Sequence, residues 1–270
     1  RLIADVGGAD GAPLVVLLHG GGQTRHSWSN AQKSLIGEGY RVINFDARGH
    51  GESDWSQNGD YGLPVRSHDL ATVIGDYHGP IALVGASMGG MTSFYAVGHG
   101  IVPGVQALIM VDIVIHPAAI GVQNIRHFMA AHADGFSSVD EAADAVAAYN
   151  PQRTRPRDTR GLMRNLRKRP NGRLHWHWDP RMLDADSIPE NHTWTDELVA
   201  VSDRVCLPTL VIRGEQSDIV DDAGVAEMRA LVPQTEIFTI PDAGHMVAGD
   251  KNDVFNSGVI DFLRRSVAAL

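Results

Sequence analysis

Ile81-Ala82-Leu83-Val84-Gly85-Ala86-Ser87-Met88-Gly89-Gly90 is the stretch on which the fold turns. A short apolar run with strand character breaks at Gly85, presents Ser87, and passes through two glycines into Met91-Thr92-Ser93-Phe94-Tyr95-Ala96, which continues as a helix. Gly-x-Ser-x-Gly between a strand and a helix places the serine on a tight, strained turn. Strand and helix come close there, so the residues two before and two after must be small. Gly85 and Gly89 meet that need, and the turn aims the Met88 N–H at an oxygen held over the serine.

On either side of this stretch, strands and helices alternate. Leu2 to Val6 is read as an edge strand. Leu14-Val15-Val16-Leu17-Leu18 is a continuous apolar run, the mark of a strand buried on both faces, and it ends in His19-Gly20-Gly21-Gly22. Ser29 to Glu38 is read as a helix closed by Gly39, Arg41 to Phe45 as a strand, Pro64 to Tyr77 as a helix, and Val105 to Val111 as a strand stopping at Asp112. Alternation returns at Thr209-Leu210-Val211-Ile212, followed by a helix over Asp222 to Leu231, a strand over Glu236 to Ile240, and a last amphipathic helix near Asp253 to Val267. A mostly parallel central sheet flanked by helices is the economical solution.

Between about His116 and Ala200 the alternation lapses, and the segment reads as helical or irregular. It is expected to be an insertion starting at a strand end. Residues 153–173 hold nine Arg or Lys against one acid, Asp158, which reads as a solvated face answering acidic patches elsewhere. In His175-Trp176-His177-Trp178, period-two alternation puts the two tryptophans on one face and the two histidines on the other. No third ligand stands near that pair of histidines, so packing of the insertion onto the sheet is expected in place of a metal site.

Ser87 needs a base. His245, in Pro241-Asp242-Ala243-Gly244-His245, follows the last strand and is expected at the same sheet edge. An imidazole that becomes charged needs an orienting carboxylate. Arg213-Gly214-Glu215-Gln216-Ser217-Asp218 follows the preceding strand, and Asp218 is favoured over the rivals Glu215 and Asp112. His19 is expected to be a satisfied structural histidine. The triple glycine lacks the Lys-Ser/Thr pair and the spacing of nucleotide loops.

With His19 to Gly22, Asp46-Ala47-Arg48-Gly49-His50-Gly51-Glu52-Ser53, Gly85 to Gly90, Gly214 to Asp218, and Gly244-His245 assembled, the chain resembles the α/β-hydrolase fold family, in its capped serine hydrolase branch, over essentially its whole length. The resemblance implies a core of residues 1–115 and 201–270 and a mainly helical cap, 116–200, inserted after the sixth strand. It implies a triad of Ser87, Asp218 and His245, an oxyanion hole of Gly21 and Met88, and a pocket lined by Gly22, His26, Trp28, Trp176, Trp178 and Met246. The expected chemistry is cofactor-free hydrolysis of a small carboxylic ester or lactone through an acyl-enzyme on Ser87. The same triad serves thioesters, carbon–carbon hydrolysis and perhydrolysis. Cofactor-free dioxygenases or lyases and a small-ligand receptor are the readings of other classes.

At 270 residues the chain has room for one large α/β domain with an insertion. A formal net charge of -9 argues against nucleic acid as the main partner. The single cysteine, Cys206, reads as a buried small hydrophobe and fits a reducing, cytoplasmic setting. No 18-residue apolar run is present, so stable membrane insertion is not expected.

Overall fold

Five strands are laid down before the chain leaves the central sheet: β1 (Ile3–Gly7), β2 (Leu14–Leu18), β3 (Arg41–Asp46), β4 (Ile81–Ala86) and β5 (Val105–Val111). Helix α1 (Ser29–Gly37) joins β2 to β3, α2 (Leu63–Ile74) joins β3 to β4, and α3 (Met88–Gly98) joins β4 to β5. The computed structural model describes residues 1–151, 155–183, 194–245, 247 and 252–267. The insertion therefore follows the fifth strand of this sheet. The expectation placed it after a sixth strand, whereas five strands precede it here.

The insertion contains α4 (Ala119–Ala130), α5 (Val139–Tyr149), a two-stranded antiparallel hairpin of β6 (Leu166–Lys168) and β7 (Leu174–Trp176), and α6 (Trp194–Val199). The chain then re-enters the sheet with β8 (Thr209–Gly214), α7 (Asp222–Leu231), β9 (Thr235–Ile240) and α8 (Asn252–Ser266). The sheet order is β1-β3-β2-β4-β5-β8-β9. Only β1 runs antiparallel to its neighbour. Among the described residues, no helix is long and apolar enough to cross a membrane.

The unbroken apolar run of β2 is explained by cover on both faces. Leu14, Val16 and Leu18 join the cluster formed with α2, α3 and α7, while Val15 and Leu17 join the cluster formed with α1 and α8. Burying each such side chain contributes about 1.5–3 kcal/mol. Trp28 belongs to the second cluster, 1% exposed and 5.8 Å ring to ring from Phe255. Its expected place in the pocket lining is corrected: the turn entering α1 directs the indole under the sheet.

The inserted segment has a small core of its own, in which Phe136, Ala142, Leu166, Trp176 and Trp178 are buried together. The two tryptophans stack, 4.9 Å between rings and 12° between planes, as alternation along an extended chain requires. Trp176 also packs on Phe128 and edge-on against Phe136. It is thus a packing residue of the insertion and not the pocket residue expected. The N-terminus of α5 is capped by Ser138, whose Oγ accepts the Glu141 N–H at 3.1 Å, while Glu141 reaches back to Ser137 N at 2.6 Å.

The basic island answers acids and carbonyls. Arg155 pairs with Asp140 and Asp144, and Arg160 with Asp158. Arg173 donates to the Asp134 and Gly135 carbonyls, and Arg169 lies over the Trp55 ring at 5.6 Å. Cys206 is exposed, contrary to the buried place expected for it, because it sits in the connection ahead of β8.

Candidate active site

Ser87 occupies the turn between β4 and α3 with φ 45° and ψ −112°. A non-glycine residue held there carries strain of about 1–3 kcal/mol, which the surrounding packing must impose. A Cβ at Gly85 would lie 2.4 Å from the backbone of Gly89, and one at Gly89 would lie 2.4 Å from the Leu18 carbonyl oxygen. The spacing read from the sequence is therefore a steric requirement of strand, turn and helix in contact. Met88 opens α3, so its N–H is one of the first-turn donors that no carbonyl four residues back can satisfy.

Register brings the next group alongside. Ala86 pairs with Val111 on β5, and the Ser87 N–H donates to the Val111 carbonyl at 3.0 Å. The following residue, Asp112, has φ 47° and is fully buried. Its Oδ1 accepts the Gly214 N–H at 2.9 Å, and its Oδ2 accepts the Ser217 hydroxyl at 2.5 Å and pairs with His245 Nδ1 at 2.7 Å. With Nδ1 committed to the carboxylate, Nε2 of His245 is left to exchange a proton.

The expectation that Asp218 orients His245 is corrected by this contact. The Ser217 hydroxyl faces Asp112, and its Oγ also accepts the N–H groups of Ile219 and Val220 at 3.1 Å each, so the chain turns there and sends the Asp218 side chain outward. Asp218 is exposed, and its Oδ2 accepts from Asn124 Nδ2 of α4 at 3.0 Å. Glu215 is exposed as well and accepts the Asp242 N–H. Both aspartates carried a strand-end signal, Asp112 directly after the apolar run of β5 and Asp218 in the loop that follows β8. Ser217 carried no signal at all, since a serine in a loop is commonplace.

The glycine loop after β2 abuts the nucleophile turn: a Cβ at Gly20 would lie 3.5 Å from Ser87 Cβ. The Gly20 N–H donates to Gln23 Oε1 at 3.1 Å, and the Gly22 N–H donates to His50 Nε2 at 3.1 Å. Gly22 has φ 73°, and its open side is covered by the Trp178 ring, 3.3 Å from where a Cβ would stand. Met129 of α4 lies 3.8 Å from the corresponding point at Gly21. Of the expected pocket residues, Gly22 and Trp178 are thus in mutual contact. His26 lines a groove with Arg25, Asp46, Glu52, Arg164 and Arg167, and Met246 lies outside the described residues.

Behind the loop stand three buried histidines that serve as acceptors. His19 Nε2 takes the Ala47 N–H at 2.9 Å, leaving its Nδ1–H to donate to the Gly20 carbonyl. His50 Nε2 takes Gly22, and His177 Nδ1 takes the Gly51 N–H at 2.7 Å. Burial lowers the pKa of His19, puts His50 well below the ordinary value, and brings His177 to about 3. Asp46, also buried, is drawn the other way. Burial raises its pKa, but hydrogen bonds from the Glu52 and Arg25 amides and the nearby charges bring it net below the usual carboxylate range.

The family model described as alpha/beta hydrolase fold matches residues 13–251. An esterase of Mycobacterium tuberculosis is 28% identical over 248 residues, 89% of this chain and 79% of that protein. Protein phosphatase methylesterase 1 of Bos taurus is 30% identical over 142 residues, 51% of this chain but only 37% of that protein. An alpha/beta hydrolase from Novosphingobium aromaticivorans superposes with a TM-score of 0.80 at 22% identity, covering 98% of this chain and 94% of that one.

Proposed function

Because the chain belongs to the α/β-hydrolase fold family, we propose that it is a cofactor-free serine hydrolase in which Ser87 attacks the carbonyl of a small carboxylic ester or lactone. The observation that carries this reading is the convergence of the strained Ser87 turn with the buried Asp112–His245 pair across the β4–β5 register. His245 takes the serine proton as the oxygen attacks, and Asp112 holds the imidazole tautomer and stabilises the imidazolium. The N–H groups of Gly21 and Met88 receive the developing oxyanion. His245 then gives the proton to the leaving alcohol, and water activated by the same imidazole releases the acid and frees Ser87.

Residues 116–200 form the cap in this reading. Trp178 on Gly22 and Met129 beside Gly21 support it, since both bring the insertion onto the loop that would hold the oxyanion. Esterase activity in the Mycobacterium tuberculosis relative supports an ester substrate. The test combines a fluorophosphonate probe with p-nitrophenyl esters of graded acyl length. Labelling and turnover that both vanish in Ser87→Ala support the hydrolase. Labelling without turnover of any ester or lactone speaks for ligand binding instead, and native activity that survives Ser87→Ala but not His245→Ala would replace acyl transfer with base chemistry.

A further inference from the structure

We infer that Ser217 is a positioning residue, whose hydroxyl shares Asp112 Oδ2 with His245 and thereby sets the aim of the imidazole and the ease with which it releases a proton. The inference rests on Ser87, Asp112 and His245 being the triad of the proposed hydrolase.

A serine hydroxyl has one proton and two acceptor positions. Both acceptor positions of Ser217 are filled, by the N–H groups of Ile219 and Val220. Its proton is therefore directed at the carboxylate, 2.5 Å away. Two amides donating into the same oxygen polarise the O–H and strengthen its donation. The Asp112 carboxylate then has no freedom left: Gly214 N–H holds Oδ1, while the Ser217 hydroxyl and His245 hold Oδ2. Neither rotation of the carboxylate nor a change of partner is available without breaking a buried hydrogen bond.

Electrostatics gives the second consequence. A donor on Oδ2 draws negative charge away from the side of the carboxylate that faces the imidazole. The imidazolium formed in the reaction is held less tightly, and its proton passes more readily to the leaving group. Other carboxylates of these loops face elsewhere: Glu215 accepts from Asp242 N, and Asp218 is held by Asn124.

The test measures kcat, KM and their pH dependence on one p-nitrophenyl ester for the unaltered protein, Ser217→Ala, Ser217→Thr and Ser87→Ala, with urea midpoints as a check on folding. Loss of the Ser217 donor in the alanine variant is expected to leave KM within about twofold, to lower kcat about tenfold, and to move the acid limb of kcat upward by about half a pH unit. Threonine, which keeps the hydroxyl, restores both. An acid limb that stays in place in Ser217→Ala overturns the inference whether or not kcat falls, because loss of packing alone would leave that limb unmoved. Should the alanine variant fail to fold, Ser217→Cys, with a weaker donor of similar size, must give an intermediate limb; an unshifted one overturns the inference equally. Activity that survives Ser87→Ala overturns the hydrolase reading itself, whereas activity lost there with an unmoved limb in the Ser217 variants overturns only the role of Ser217.

Discussion

His177 accepts the Gly51 N–H through Nδ1 at 2.7 Å, so a residue of the insertion completes the backbone hydrogen bonding of the loop that follows β3. Arg167, from the same insertion, donates to the Gly51 carbonyl at 2.9 Å, and Gly51 is thereby held on both its polar groups. Protonation of Nδ1 would remove the acceptor. The His177 pKa falls to about 3 in the folded chain, first because of burial and then because of His19 and Arg167, against 6.5 for the unperturbed group. Between those values the unfolded chain binds more protons than the folded one, so stability rises with pH. The contribution of His177 is complete above about pH 6.5 and is lost as pH falls toward 3. Melting temperature is expected to drop steadily from about pH 6.5 to pH 4 in the unaltered protein. In His177→Asn, whose amide oxygen accepts without titrating, the drop is smaller. Equal slopes in the two proteins would contradict this account.

Asp112 and Asp218 are separated by a substitution at each. Asp112→Asn leaves His245 facing an amide and is expected to lower kcat by about three to four orders of magnitude, the loss that follows when a triad imidazole is held in the wrong tautomer. Asp218→Asn removes an exposed carboxylate whose partner is Asn124, and kcat is expected to stay within about threefold. Steady-state rates on a p-nitrophenyl ester decide between them; the opposite ranking would return the orienting role to the loop after β8.

Gly85→Ala tests the steric origin of the nucleophile turn. The added methyl would stand 2.4 Å from the Gly89 carbonyl carbon and 2.5 Å from the Gly90 nitrogen, and neither backbone atom can move without displacing α3 from β4. The expected cost is about 3 kcal/mol or more, read as a lowered urea midpoint at unchanged slope. A variant of normal stability would mean that strand and helix are further apart than described.

His50→Ala tests the support of the glycine loop. The Gly22 N–H then loses its only described acceptor, at a cost of about 1–3 kcal/mol for a donor left unmade. If Gly21 receives the oxyanion, loosening the adjacent residue lowers kcat by about tenfold while KM changes little. His50→Gln, which can present an amide oxygen in place of Nε2, is expected to recover part of the rate. A fall in stability with kcat unchanged would confine His50 to holding the loop.

Much of this molecule was legible in its residue order. Strands β2 and β5 begin and end where their apolar runs do, and α7 spans the residues its pattern gave. The turn at Ser87 was marked by Gly85 and Gly89, because strand and helix in contact admit few residue types there, and His245 was marked by its place after the last strand. The alternation of Trp176 and Trp178 likewise foretold that they share a face. Trp28 was not legible, since an indole just after a glycine loop fits a pocket rim and a sheet face equally well until α8 supplies Phe255.

The sequence by itself determined that strands alternate with helices and that a serine sits on a strained strand-to-helix turn, because these follow from sterics and burial between near neighbours in the chain. Only the tertiary structure decided which carboxylate meets His245. Asp112 and Asp218 both follow buried strands, and the choice depends on groups 102 to 133 residues away from Asp112: the Gly214 N–H, the Ser217 hydroxyl and the His245 ring itself. A buried charge persists where its hydrogen bonds are complete, and the folded chain completes them at Asp112 while turning Asp218 out to Asn124.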